Sequence, residues 1–337
     1  MSIRNPGEIL NNRYEVVNCL GQGAMGAVYL VRDQLLTGAA WALKELDAPL
    51  LLDAERDMTV QLFRREAEIL AELDHPGLPR VVDYFEEPSA QGMRYYFAME
   101  FLPGQPVDEL LTALGRALTP VEAIPIALQA THVLEYLHRR SPPVIFRDLK
   151  PSNLILTPEG KVYFIDFGIA RHHNPQSAKD TQDLGTPGFC APEQYGHGQT
   201  TPRSDVYALG TTLFHLLTRA DPQAYNFKFP PLKDFFEPVP PALEKAVTRC
   251  LQLKPEDRYP DAASLRADLE QALREVPPTA PKATQTLNEA LTCLARHPRL
   301  HPSSQRAQVW AFWKDWMLRT FVQRPGPPRA AVRRTLP

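Results

Sequence analysis

Val144-Ile145-Phe146-Arg147-Asp148-Leu149-Lys150-Pro151-Ser152-Asn153-Leu154-Ile155-Leu156 is the stretch whose reading decides this chain. Two apolar, β-rich runs flank a polar turn, and Asp148, Lys150 and Asn153 fall within six residues. Ten residues after Leu156, a second apolar run (Val162 to Ile165) ends in Asp166-Phe167-Gly168. Two strands are therefore expected to present Asp148, Lys150, Asn153 and Asp166 close together. An acceptor for a hydroxyl proton, a cation and two oxygen ligands for a divalent metal are the parts that phosphoryl transfer from a nucleotide requires.

The 337 residues are enough for a full core, as one large or two small domains. A 44% hydrophobic and 23% charged composition is that of an ordinary soluble globular protein. The net charge of −2 hides an asymmetry: ten Lys/Arg against Glu289 and Asp315 make residues 276–337 +8 and leave −10 on residues 1–275. Such a tail could fold back on the acidic body or bind an acidic partner. Cys19, Cys190, Cys250 and Cys293 show no metal-ligand spacing, which predicts reduced thiols and a cytoplasmic setting. The N-terminus lacks a signal pattern and no run reaches ~18 apolar residues, so neither secretion nor a spanning helix is expected.

Upstream, Tyr14 to Leu20 reads as a strand that enters Gly21-Gln22-Gly23-Ala24-Met25-Gly26. The three glycines predict a hairpin turn that can approach a ligand and offer backbone N–H groups to phosphates. A dinucleotide site would need a helix after the third glycine; here Ala27 to Val31 continues as a strand. Lys44 closes a third strand, Ala40 to Leu46. In a helix over 59–73, Phe63, Ala67 and Leu70 share one face with Glu66. A carboxylate on a buried face needs a cation, and Lys44 is the natural partner. Two more strands end at Glu100-Phe101, and Leu102-Pro103-Gly104 reads as a hinge. A flat heterocycle would bind main-chain groups of Glu100 to Leu102 between Leu20, Val28, Ala42 and Ile155, with Met99 behind.

Beyond the hinge the pattern turns helical. Thr119-Pro120 opens a helix through His138, Ser204 or Asp205 caps an apolar helix through Leu217, and further helices cover 241–253 and 262–273. The polar stretch 171–184 reads as a loop. From Val276 the pattern predicts a Pro/Arg-rich tail with two short helices and about 13 disordered residues at the end. Three of the four tryptophans (Trp310, Trp313 and Trp316) lie in its second helix.

The ordered set Gly21-x-Gly23-x-x-Gly26-x-Val28, Lys44, Glu66, Arg147-Asp148-x-Lys150-x-x-Asn153, Asp166-Phe167-Gly168 and Ala191-Pro192-Glu193 resembles the protein-kinase signature set. More narrowly, Asn12-Arg13-Tyr14 and Ala191-Pro192-Glu193-Gln194-Tyr195 are similar to bacterial kinases of the eukaryotic-like (Hanks) serine/threonine type. The resemblance implies an α+β bilobal fold over 12–275, with a small antiparallel β lobe (12–101) carrying one main helix and a larger helical lobe (102–275). It implies ATP and Mg²⁺ as cofactors, Mn²⁺ being an alternative, and protein Ser/Thr hydroxyls as acceptors. Lys150 and Thr186 favour Ser/Thr over Tyr.

The roles it implies are as follows. Gly21 to Gly26 cover the phosphates, and Lys44, held by Glu66, positions the α/β-phosphates. Asp148 takes the hydroxyl proton, Lys150 steadies the γ-phosphate, and Asn153 and Asp166 hold the metal. Glu193 pairs with Arg258, and Asp205 ties the catalytic turn to its helix. Phe146 departs from the family's usual histidine; it can fill a buried column with Leu70, Val81 and Phe167 but cannot donate side-chain hydrogen bonds. Arg147 is read as the receiver of an activating phosphate in the 171–184 loop, with Thr181 first and Ser177 second. A nucleotide-binding pseudokinase scaffold and a small-molecule kinase of the same fold are the rival readings. The first is disfavoured by the complete set of polar residues, the second by the Gly185–Glu193 platform and Arg258. The tryptophan-bearing tail is expected to dock in cis or on a partner protein; nucleic acid is not an expected partner.

Overall fold

The computed structural model describes residues 3–23, 26–36, 38–47, 53–89, 92–168, 170–172, 185–195 and 198–276. Ala24, Met25, Ser177, Thr181 and the tail beyond Val276, with its expected helices, lie outside the described residues.

The first lobe is a six-stranded antiparallel sheet. Its strands are β1 (Ile9–Leu10), β2 (Tyr14–Gln22), β3 (Gly26–Asp33), β4 (Ala40–Asp47), β5 (Val81–Ser89) and β6 (Gly92–Glu100), in the order β1-β2-β3-β4-β6-β5. Alternation sends Leu43, Tyr29, Val31, Tyr14 and Tyr96 into one buried cluster. Between β4 and β5 runs α1 (Asp53–Ala71), six residues longer at its start than the apolar periodicity indicates. Phe63, Ala67 and Leu70 are buried on it, as is Glu66.

The third glycine of the turn has a steric reason of its own. Gly26 pairs with Leu46 across β3 and β4, and a Cβ on it would lie 1.8 Å from the Glu45 carbonyl oxygen, so the neighbouring strand leaves no room for a side chain there. A Cβ at Gly21 meets nothing within 4 Å, and one at Gly23 only the Gly26 carbonyl at 3.8 Å.

The second lobe is helical: α2 (Val107–Leu114), α3 (Pro120–His138), α4 (Pro202–Thr218), α5 (Pro241–Cys250) and α6 (Ala262–Glu275). Short strands lie at its upper edge: β7 (Gln105–Pro106), β8 (Val144–Ile145), β9 (Leu154–Leu156), β10 (Val162–Phe164) and β11 (Arg171–His172). β7 pairs with β9, so the hinge is stitched to the strand carrying Ile155. The fit is tight, since a Cβ on Gly104 would meet Ile155 Cγ2 at 2.6 Å.

The cap of α4 differs from the sequence expectation. Pro202 occupies the first helical position, where its missing N–H costs nothing, so Thr201 is the cap and accepts from Arg203 N at 3.3 Å. Ser204 and Asp205 therefore lie inside the first turn, and Asp205 is fully buried.

Candidate active site

Lys44 leaves β4 toward α1. Its Nζ donates to Glu66 Oε1 and Oε2 at 2.6 and 2.8 Å and to Asp166 Oδ1 at 3.1 Å. Burial works against the ammonium, but the charges of Glu66 and Asp166 outweigh it and hold Lys44 above the ordinary lysine value. In turn the Lys44 charge holds the Asp166 carboxyl below the usual carboxylate range. Glu66 Oε1 also accepts the Phe167 N–H at 3.2 Å, which ties α1 to the segment after β10. Asp166 sits at φ 65°, a left-handed conformation that a non-glycine residue adopts under constraint.

The turn between β8 and β9 is closed by a 3₁₀ segment, Pro151–Asn153. Asn153 Nδ2 donates to the Asp148 carbonyl at 2.8 Å and to Asp148 Oδ2 at 2.9 Å. Lys150 Nζ lies 2.9 Å from Asp148 Oδ2 and donates to Thr186 Oγ1 at 2.6 Å. Thr186 Oγ1 donates to Asp148 Oδ1 at 2.6 Å. The turn is thus cross-tied to the segment beginning at Gly185. Sequence reasoning used Thr186 only as a sign of acceptor type; nothing in its spacing showed this bridge, which joins residues 38 apart.

Below the turn, the Asp205 carboxylate accepts the N–H groups of Phe146 (2.9 Å) and Arg147 (2.8 Å), with His138 Nε2 at 2.8 Å. Arg147, at φ 73°, is held in this strained backbone by two ties, since Gln194 Nε2 also donates to its carbonyl at 2.9 Å. The Phe146 ring packs against Phe167 (4.9 Å, edge-on) and Phe164 (5.0 Å). Phe164 and His138 are contributors that the sequence pattern did not single out. Glu193 meets the fully buried Arg258 through two bonds of 2.8 and 3.0 Å, and Ser204 Oγ donates to the same carboxylate at 2.6 Å.

At the hinge, Ala42 stands opposite Met99, and Trp41 opposite Glu100, in the pairing of β4 with β6. Val28 pairs with Lys44. Leu20, Gly21 and Gln22 end β2 at the turn, and Leu102 follows β6 with its carbonyl accepting from Gly104 N at 2.9 Å. Ala42 and Ile155 are buried.

A strand–turn–strand lid, a lysine–glutamate pair and a turn bearing Asp148, Lys150 and Asn153 define the phosphotransferase fold of protein kinases. The chain belongs to the protein kinase domain family, whose pattern matches residues 14–266. It is 34% identical over 290 residues to the serine/threonine-protein kinase PknB of Mycobacterium tuberculosis, covering 81% of this chain and 45% of that protein. It is 31% identical over 278 residues to the serine/threonine-protein kinase PrkC of Bacillus subtilis, covering 79% of this chain and 41% of that protein. The chain therefore spans under half the length of these relatives. Among the described residues, no helix is long and apolar enough to cross a membrane.

Proposed function

We propose that this domain transfers the γ-phosphoryl group of ATP to serine and threonine hydroxyls of proteins. The observation that carries the reading is the joining of two clusters: Lys44–Glu66 from the sheet lobe reaches Asp166, while Asn153, Lys150 and Thr186 converge on Asp148. Asp148 is placed to take the proton of an acceptor hydroxyl. The hydroxyl oxygen bonds to the γ-phosphorus as the bond to the bridging oxygen breaks and ADP departs. Lys150 steadies the transferring group, and Lys44 fixes the α/β-phosphates, so most of the rate gain is positioning and fixed charge.

A divalent metal fits the residues present. Asn153 and Asp166 supply hard oxygen donors from adjacent segments, and the Asp166 side chain is about half exposed at 49%. When bound, such a metal neutralises charge on the phosphates; Mg²⁺ is our first choice and Mn²⁺ the alternative. The open space around Gly21 and Gly23 suits a phosphate chain beneath the turn.

We also propose activation by a phosphate on Thr181, or on Ser177, acting on Arg147. The cysteines, read from their spacing as reduced thiols, and the need for ATP support a cytoplasmic setting, and the tail is proposed to dock on this domain or a partner. The deciding experiment is transfer of labelled phosphate from Mg-ATP to a generic basic protein. Transfer abolished in Asp148→Asn supports the reading; equal labelling by both proteins overturns it. Phosphate mapping after incubation with ATP tests the loop: full activity with neither Thr181 nor Ser177 modified overturns that part.

A further inference from the structure

On the face of the sheet opposite Lys44 lies a charged network that the reading above does not use. At its centre is Glu45, the neighbour of Lys44 on β4, whose side chain is only 2% exposed. Glu45 Oε2 accepts from Tyr29 of β3 at 2.7 Å, and Oε1 from Tyr96 of β6 at 2.7 Å. Burial, with Glu45 beside them, holds both phenols above the usual tyrosine range, so they remain donors. One carboxylate thus ties together the three strands that carry the glycine turn, Lys44 and the hinge. Its backbone carbonyl is also the group that leaves no room for a side chain at Gly26.

A buried carboxylate needs a cation. Arg94 of β6 is 3.7 Å away and spends its own closer bonds, of 3.1 and 3.2 Å, on Asp47. The closer cation is Arg4, from a segment that precedes the family-matched residues. Arg4 Nε donates to Glu45 Oε1 at 3.2 Å, its guanidinium also meets Glu8 and the Tyr96 hydroxyl, and its backbone N–H donates to the Tyr29 hydroxyl at 3.3 Å. The segment is laid on the sheet by Gly7 N bonding to the Val16 carbonyl and Val16 N to the Glu8 carbonyl, each at 2.8 Å.

We propose that Arg4 is a positioning residue for nucleotide binding: by compensating Glu45, it sets the strand of Lys44 against the strand that leaves the glycine turn. The inference rests on the kinase reading. Without Arg4, a buried anion is left with the Asp47-engaged Arg94, and the strands shift to let water reach it. Lys44 and the turn are then misplaced toward the phosphates, while Asp148 and its partners in the other lobe stay as they are. The consequence falls chiefly on ATP affinity, with only a small change in the chemical step, because Lys44 keeps its Glu66 partner and Asp148 is undisturbed.

The test compares the full chain with Arg4→Ala, Arg4→Lys and Arg4→Ala/Glu45→Gln, reading KM for ATP and kcat separately, with thermal unfolding alongside. The expected result is a KM for ATP raised about tenfold in Arg4→Ala with kcat changed less than about twofold. The double variant, which removes the stranded charge, is expected to recover KM to within about threefold of wild type. Arg116→Ala, which loses the ion pair to Glu122 at 2.8 Å in the helical lobe, serves as the control for general destabilisation. An unchanged KM in Arg4→Ala, equal KM rises in Arg4→Ala and Arg116→Ala, or no recovery in the double variant overturns the proposal. Arg4→Lys keeps the compensating charge and is expected to hold KM within about threefold of wild type, a tenfold rise overturning the proposal. Should Arg4→Ala not fold, Arg4→Gln, which removes the charge but keeps most of the side chain, replaces it, a raised KM supporting the proposal and an unchanged one overturning it. A wild-type chain that neither binds nor uses ATP would instead overturn the kinase reading.

Discussion

Thr186 donates its hydroxyl hydrogen to Asp148 Oδ1 at 2.6 Å while accepting from Lys150 at 2.6 Å. A single hydroxyl thereby fixes the orientation of the carboxylate proposed to meet the acceptor and of the lysine proposed to meet the phosphate. Thr186→Ala is expected to lower kcat about 10- to 100-fold with little change in unfolding temperature, and Thr186→Ser to retain most activity. Steady-state kinetics of the three proteins checks this; an Ala variant as active as wild type rules the bridge out as a catalytic support.

Removing Lys44 strands the buried Glu66 carboxylate and takes away the proposed phosphate contact. Lys44→Met is expected to lose at least about 100-fold in activity. It is also expected to unfold at a lower temperature than Lys44→Met/Glu66→Gln, because the second change removes the uncompensated charge. Calorimetry at pH 7 compares the two.

Asp205 fastens the strained backbone at Phe146 and Arg147, and His138 completes its hydrogen bonding. Asp205→Asn keeps the shape but replaces one acceptor oxygen with a donor, so one N–H is left facing an N–H. Activity is expected to fall more than about tenfold, with faster hydrogen exchange at the two amides. Unchanged exchange would show that the turn is held by other means.

Arg258 has no exposed side-chain surface and bonds Glu193, the Gln252 and Leu253 carbonyls and the Arg203 carbonyl. Arg258→Ala leaves the largely covered Glu193 carboxylate without its main partner, at an expected cost of about 3–5 kcal/mol. Denaturant unfolding measures it, and a loss below about 1 kcal/mol would contradict the account.

Glu122 gives a pH signature. Burial pushes its carboxyl up, but bonds from Arg116 (2.8 Å, twice) and from the backbone N–H and side chain of Thr119 bring it below its ordinary value of 4.5. A depressed pKa contributes stability that is present above 4.5 and is lost as pH falls through the folded value. The gap in unfolding temperature between wild type and Glu122→Gln is expected to be widest near pH 7 and to narrow as pH falls below 4.5. A gap that widens in acid would reverse the sign.

The residues proposed for the chemistry could be picked out in the chain because phosphoryl transfer demands fixed residue types at short spacing. Asp148, Lys150 and Asn153 share one turn, and Asp166-Phe167-Gly168 follows on the next strand. The α+β class was equally readable, since period-two runs precede residue 101 and helical runs follow it. Glu66 was legible as Lys44's partner because a carboxylate on an apolar helix face has to find a cation. What the chain order could not show was which distant groups meet. Thr186 on Asp148, His138 on Asp205, and Arg4 on Glu45 join residues 38, 67 and 41 positions apart. Each link is made by a polar side chain that looks like any surface residue in sequence. Only packing removes water from around it and makes the partner obligatory. Gly26 shows the same division: its presence was plain, but its reason lies in a neighbouring strand's carbonyl, a contact that exists only once β3 and β4 have paired.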